Sequence, residues 1–155
     1  MARTEGSIDI ARPAEVVCDF VADMRNEPRY NPQMSRVELL TEGPIGVGSR
    51  FRAATEARGR PLEMNVELTE FERPTRVASV MHSAIIDVAG ALTLSPLPGG
   101  TRLKWSWDVR PKGWLRLLGP VLAWQGRRRE ERIWASLKQY LEDRSPSSAA
   151  SSGPA

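Results

Sequence analysis

Polar and apolar residues alternate through most of the middle of this chain. Leu62, Met64, Val66 and Leu68 are spaced by Glu63, Asn65 and Glu67, and Leu103, Trp105, Trp107 and Val109 by Lys104, Ser106 and Asp108. Successive strand side chains point to opposite faces, so these runs predict strands over 62–70 and 101–109, each with one dry and one wet face. The same reading predicts strands over 7–11 (Ile8 and Ile10 on one face), 37–40, 49–57 (Phe51, Ala53 and Thr55) and 87–95 (Val88, Gly90, Leu92 and Leu94). A further strand over 76–82 has Val77, Ala78, Val80 and Met81 on both faces, which leaves its parity open. Turn-forming residues separate the runs, among them Gly43, Gly46 and Gly48, then Pro74, then Pro98-Gly99-Gly100.

Helical spacing appears towards both ends. Pro13 suits the first turn of a short amphipathic helix over 14–22, and a weaker helical piece follows over 24–29 before a turn bounded by Pro28 and Pro32. Within 111–143, Ile133, Leu137, Tyr140 and Leu141 fall on one helix face. Gly113 and Gly119-Pro120 predict a break, leaving a lead-in over 114–118 and a main helix over 121–143. Upstream of Ile133 the apolar stripe is interrupted over 125–132. Helical steps place Leu122 and Gly126 within the sheet-facing stripe and Arg129 and Glu130 at its edge. A helix-interior glycine costs about 1 kcal/mol relative to alanine, which close packing or room for a ligand would offset. A covering helix with such a gap is suited to roofing a cavity.

One strand, two short helices, six hairpin-linked strands and a long helix make an α+β fold. The expected form is a curved antiparallel sheet of seven or so strands wrapped round the C-terminal helix. One domain is expected over 1–143, with 144–155, rich in Ser, Ala and Pro, as a disordered tail.

Composition changes this picture little. A chain of 155 residues with 41% hydrophobic and 26% charged residues is an ordinary globular domain. The net charge of +3 gathers at Arg127, Arg128, Arg129 and Arg132, which reads as a local anionic contact or as a solvated face balanced by Glu130, Glu131 and Glu142. No nucleic-acid partner is expected. Cys18 is the sole cysteine, so no intrachain disulfide forms, and its apolar neighbours predict a buried, inert thiol. No apolar segment follows the N-terminus as in a signal peptide, and 114–124 is too short to span a bilayer, so the expected location is cytoplasmic. The glycine-rich 42–48 lacks the Lys-Ser/Thr ending and following helix of a phosphate loop.

Several stretches carry a family resemblance. They are Ile8-Asp9-Ile10-Ala11-Arg12-Pro13-Ala14-Glu15-Val16-Val17, Phe20-Val21-Ala22-Asp23, the Tyr30-Asn31-Pro32 turn, Val47-Gly48-Ser49-Arg50-Phe51, Phe71-Glu72-Arg73-Pro74 and Pro98-Gly99-Gly100-Thr101-Arg102-Leu103-Lys104-Trp105. In this order they resemble the START/Bet v 1-like (SRPBCC) superfamily, above all its polyketide cyclase/dehydrase-like branch, over 8–143. The resemblance implies a helix-grip fold. It leaves the activity open, because the superfamily mixes cyclases, hydrolases, lipid carriers, quinone-binding proteins and ligand receptors.

The chemistry-bearing residues are few. His82 is the only imidazole and no Cys/His spacing suits a metal, so neither a metal nor a cofactor is expected. Glu63, Glu67, Asp87 and Asp108 fall on the wet faces of their strands, and Asp9 lies opposite Ile8 and Ile10, which argues against paired-carboxylate catalysis. The catalytic candidates are His82, if its strand turns it inward, and Arg129, a cation placed to hold a carboxylate, enolate or quinone oxygen at a cavity mouth.

The inward set Phe51, Met64, Val66, Leu92, Leu94, Leu103, Trp105 and Trp107 has the apolar and aromatic character of a ligand site. Ala53 and Gly90 would leave room, and Leu122, Gly126, Arg129 and Ile133 would form the roof. The same side chains would also serve as a plain core. The expected function is binding of a small hydrophobic molecule, lipid, polyketide or quinone-like, between sheet and helix. Two alternatives use the same pocket. One is the cyclase/dehydratase-type enzyme that the resemblance implies, disfavoured by the scarcity of inward acid/base groups. The other is a peripheral membrane carrier of lipid or quinone that touches the bilayer with Trp114, Trp124 and the arginines. Monomer and dimer both stay open.

Overall fold

The computed structural model describes the backbone over 2–57 and 59–144; the side chains of 2, 57 and 119–126 and the whole of 145–155, where the expected tail falls, lie outside the described residues. Strands β1 (Ala2–Ile10), β2 (Met34–Leu39), β3 (Arg50–Ala57), β4 (Arg60–Glu72), β5 (Arg76–Ser83), β6 (Ile86–Leu97) and β7 (Gly100–Pro111) form one antiparallel sheet. Its order is β1-β7-β6-β5-β4-β3-β2, a meander from β2 to β7 with β1 laid against the last strand. Helix α1 (Ala14–Ala22) and a 3₁₀ turn (Met24–Arg29) join β1 to β2. A second 3₁₀ segment (Gly113–Leu118) leads into α2 (Gly119–Asp143). The break expected before the long helix is therefore present: Gly113 takes a positive φ of 62°, and Pro120 falls in the first turn of α2, where its missing N–H is harmless.

Several strands run further than the alternation of their residues predicts, and two of them, β1 and β2, start three or more residues early. β1 starts at Ala2, paired with Val109 of β7, and its inward positions include Thr4 and Gly6 opposite Trp107 and Trp105. Small residues there show no apolar stripe, so the extension is carried by ladder hydrogen bonds and by the large indoles of the partner strand. β2 likewise starts at Met34, which pairs with Thr55 across an irregularity at Ser35.

A bulge settles the parity of β5. Leu68 faces Ser79 whereas Glu70 faces Ala78, so Thr69 is the extra residue and Phe71 moves onto the face held by Leu62 to Leu68. Val77, Ser79 and Met81 consequently point inward. Ala78, Val80 and His82 point the other way.

The C-terminal half of α2 sits on the core through Trp134, Leu137 and Leu141, all buried. Its last turn is tied to the β1–α1 junction. Arg12 Nη1 donates to the carbonyls of Leu141 (2.9 Å) and Arg144 (3.0 Å), and the Ala11 N–H donates to Glu142 Oε2 at 2.8 Å. These bonds satisfy carbonyls that a helix end leaves without partners. Cys18 is fully buried beneath this layer, and burial pushes its thiol up to about 11, which removes it as a nucleophile.

Candidate functional site

Between the sheet and α2 lies a cavity of about 450 Å³, partly open to solvent. Its walls are Leu62, Met64, Val66 and Leu68 of β4, Val77 and Met81 of β5, Ile86, Val88 and Leu92 of β6, and Trp107 and Val109 of β7. Val21, Met24 and Met34 close one side, and Ile133 and Trp134 of α2 form the roof. The parity of each strand dictates this set, since every second residue of a strand faces inward and most of those are apolar. Met24, Met34, Met64 and Met81 add flexible, polarisable surface that adapts to a guest's shape.

Most of the polar groups of the cavity come from α2, the first 3₁₀ turn and the residues beside them. Glu130 and Arg129 come from α2, Glu27 from the first 3₁₀ turn, Tyr30 and Asn31 from the residues that follow it, and Thr55 from β3. Trp134 Nε1 donates to Glu130 Oε2 at 2.7 Å, and the nearby Trp107 indole also favours the charged form of this carboxyl. Asn31 Nδ2 donates to Glu27 Oε1 at 3.0 Å, and Arg129 Nη2 reaches Thr55 Oγ1 at 3.5 Å. Burial raises the pKa of Glu130, and burial together with the negative charge of Glu130 raises that of Glu27. Tyr30 is pushed well above its ordinary value by burial and by both carboxyls.

The cavity brings together Met64, Val66, Leu92, Trp107, Arg129 and Ile133 from the residues expected to bind a ligand. Others belong to the packed interior instead. Phe51, Ala53, Leu94 and Leu103 are at most 2% exposed and do not reach the cavity. Trp105 is spent on a stacked contact with Trp134, ring centroids 5.5 Å apart. Gly90 does not make room for a guest: a Cβ there would collide with the Ser106 carbonyl and lie 2.7 Å from Trp107 Cε3, so the glycine lets β7 and its indole approach. Leu122 and Gly126 lie on α2, with side chains outside the described residues. His82 is exposed on the outer face, its Nδ1 3.2 Å from Asp87 Oδ1, and so has no access to the cavity.

Residue patterns miss Glu27 and place Glu130 only at the edge of the sheet-facing stripe. The strand carboxylates do face water, but Glu27 and Glu130 bring carboxyls into the cavity from helical segments, so inward acid/base groups are not scarce. Glu130 also does not balance the arginines on a solvated face. The signal for it is the four-residue step to Trp134; Glu27, in a short polar stretch, offers none. Among the described residues no group of three His, Cys, Asp or Glu side chains is placed to hold a metal ion, and no helix is long and apolar enough to cross a membrane.

A seven-stranded sheet gripping a C-terminal helix over an internal cavity defines a helix-grip protein of the START/Bet v 1-like (SRPBCC) class. The family model for polyketide cyclase/dehydrase and lipid transport proteins matches residues 1–142, and the chain belongs to that family. No curated protein matches it significantly in sequence. Among solved structures it is similar to a START superfamily protein from Mycobacterium smegmatis, at 18% identity over 94% of this chain and 100% of that one, with a TM-score of 0.81. It is also similar to the Zhui aromatase/cyclase from Streptomyces sp. R1128, at 18% identity over 92% and 94% of the two chains, TM-score 0.77. A protein from Thermus thermophilus shares 17% identity over 88% and 94%, TM-score 0.76. At such identities the likeness is one of fold.

Proposed function

We propose that the protein binds one small hydrophobic molecule, of lipid, polyketide or quinone-like character, in the cavity beneath α2. The observation that carries this reading is the cavity itself: about 450 Å³ walled by aliphatic, methionine and indole side chains, with its charged groups drawn into one cluster. Protein interiors are close-packed and few voids exceed a water molecule, so a space of this size and lining fits a guest better than a filler core. Native mass spectrometry of protein purified gently from its own host tests it. A one-to-one adduct in the mass range of a small lipid or polyketide is expected. Ligand-free protein that also takes up no hydrophobic dye would overturn the reading.

A second reading, a cyclase/dehydratase-type enzyme, is favoured by Glu27, Glu130 and Tyr30 lining the same space. Acids whose pKa values are raised by burial stay protonated nearer neutrality and suit general acid work on a keto group. With a poly-β-keto substrate, Glu27→Gln or Glu130→Gln would lower kcat by about 10²-fold if this reading holds. His82→Ala, on the outer face, would leave it unchanged. Turnover that survives both glutamine variants would remove these acids from the chemistry.

A further inference from the structure

We infer that the polar cluster of the cavity selects an apolar molecule whose head group donates hydrogen bonds, a hydroxyl or a protonated amine, and discriminates against a free carboxylate. This inference rests on the ligand-binding proposal and deepens it. It reverses the expectation that Arg129 would hold a carboxylate.

The argument is one of donors and acceptors. Glu130 is held by the indole of Trp134 (2.7 Å), and Glu27 by the amide of Asn31 (3.0 Å). A carboxyl group has two oxygens and about four acceptor sites, so these bonds orient both groups and leave acceptor capacity facing the cavity. The fixing donors are rigid or buried: Trp134 is 6% exposed and Asn31 2% exposed. The two carboxyls come from separate walls, one on the 3₁₀ turn after α1 and one on α2, and each feels the same guest.

The one cation of the cluster is placed differently. Arg129 is an exposed residue whose guanidinium reaches Thr55 Oγ1 at 3.5 Å; its charge draws the pKa values of Glu27 and Glu130 down, but one exposed cation stands against two carboxyls. A carboxylate head entering among Glu27, Glu130 and Tyr30 would meet acids that are partly buried and already crowd one another. It would be desolvated among acids whose own negative charge burial already opposes, and the cost of burying an unpaired anion is large. A hydroxyl or ammonium head instead donates to the free carboxyl oxygens, a charge-assisted bond whenever either acid is ionised.

Displacement of Nile red by three matched twelve-carbon chains tests this at pH 7: dodecanol, dodecylamine and dodecanoate. Dodecylamine, charged like dodecanoate, controls for the greater oiliness of the alcohol. In the wild type, dodecylamine and dodecanol should displace the dye at concentrations about tenfold below dodecanoate. Glu130→Gln and Glu27→Gln, which keep an acceptor but lose the charge, should shrink the amine-to-carboxylate gap at least threefold while dodecanol stays within about twofold. Dodecanoate displacing as well as dodecylamine in the wild type, or a gap untouched by both variants, would overturn the inference and leave ligand binding standing. Failure of the dye to bind, or of all three chains to displace it, would overturn the cavity reading together with this one.

Discussion

Glu130 illustrates how a single helical position changes meaning once its neighbours are placed. Its carboxyl and that of Glu27 sit above the ordinary 4.5 because burial penalises the charged form. The folded protein thus keeps protons that the unfolded chain has released, and stability falls as pH rises from 4.5 through the raised folded values. Glu130→Gln and Glu27→Gln remove that penalty. Each should raise Tm over wild type at pH 8, with the advantage fading towards pH 4; thermal melts across this range check it, and a lower Tm at pH 8 would contradict it. Gly90→Ala should do the opposite, since its methyl would press on the Ser106 carbonyl and Trp107. A loss of about 1–3 kcal/mol in urea unfolding is expected, as for overpacked cores. Single residues were also where sequence pattern was least informative. The alternation identified Met64, Val66, Leu92 and Trp107 because period two has one meaning in a strand, whereas Glu27 in a 3₁₀ turn has no period to betray it.

Among the elements, α2 is anchored at its C-terminal end and lines the cavity towards its middle. Arg12→Ala would release the Leu141 and Arg144 carbonyls. A cost of about 1.5–3 kcal/mol is expected for bonds to a charged donor, with faster amide exchange over 138–143 and little change in the sheet. Equal exchange in wild type and variant would show that the latch contributes nothing. The 3₁₀ segment before α2 bears Trp114 at 66% and Leu117 at 85% exposure, beside Arg110, Lys112 and Arg116. Lys112, just ahead of it, donates its N–H to the Ile85 carbonyl of the β5–β6 turn at 2.9 Å, next to the cavity-lining Ile86. The membrane-carrier alternative expects a bilayer contact at Trp114, Trp124 and the arginines of α2; we propose that, in such a carrier, this exposed face around Trp114 would share in that contact. Trp114→Ser with Leu117→Ser should then cut co-sedimentation with anionic vesicles several-fold, and unchanged sedimentation would exclude this face. The break before α2 was legible from Gly113 and Gly119-Pro120, because both residue types act locally. The parity of β5 was not, because it depends on a bulge at Thr69 of the neighbouring strand.

At the scale of the whole molecule, the meander and its closing helix follow from hairpin-linked alternating runs, and the family resemblance agrees with them from end to end. What the pattern could not separate was wall from filler. Phe51, Leu103 and Trp105 have the same parity as Val66 and Trp107, and parity cannot say which of them stay within the packed core and which also face open space. The central claim is that this space takes an apolar guest. Ser79 lines it without being fully buried, so Ser79→Trp would fill it from the sheet side. The direct measurement is a fluorescence titration of a neutral hydrophobic dye into the wild type and Ser79→Trp, with melts to confirm that both are folded. Saturable uptake of a single equivalent by the wild type, weakened at least tenfold in the filled variant, is the predicted result. Identical affinity and stoichiometry in the two proteins would place the dye elsewhere and contradict the account.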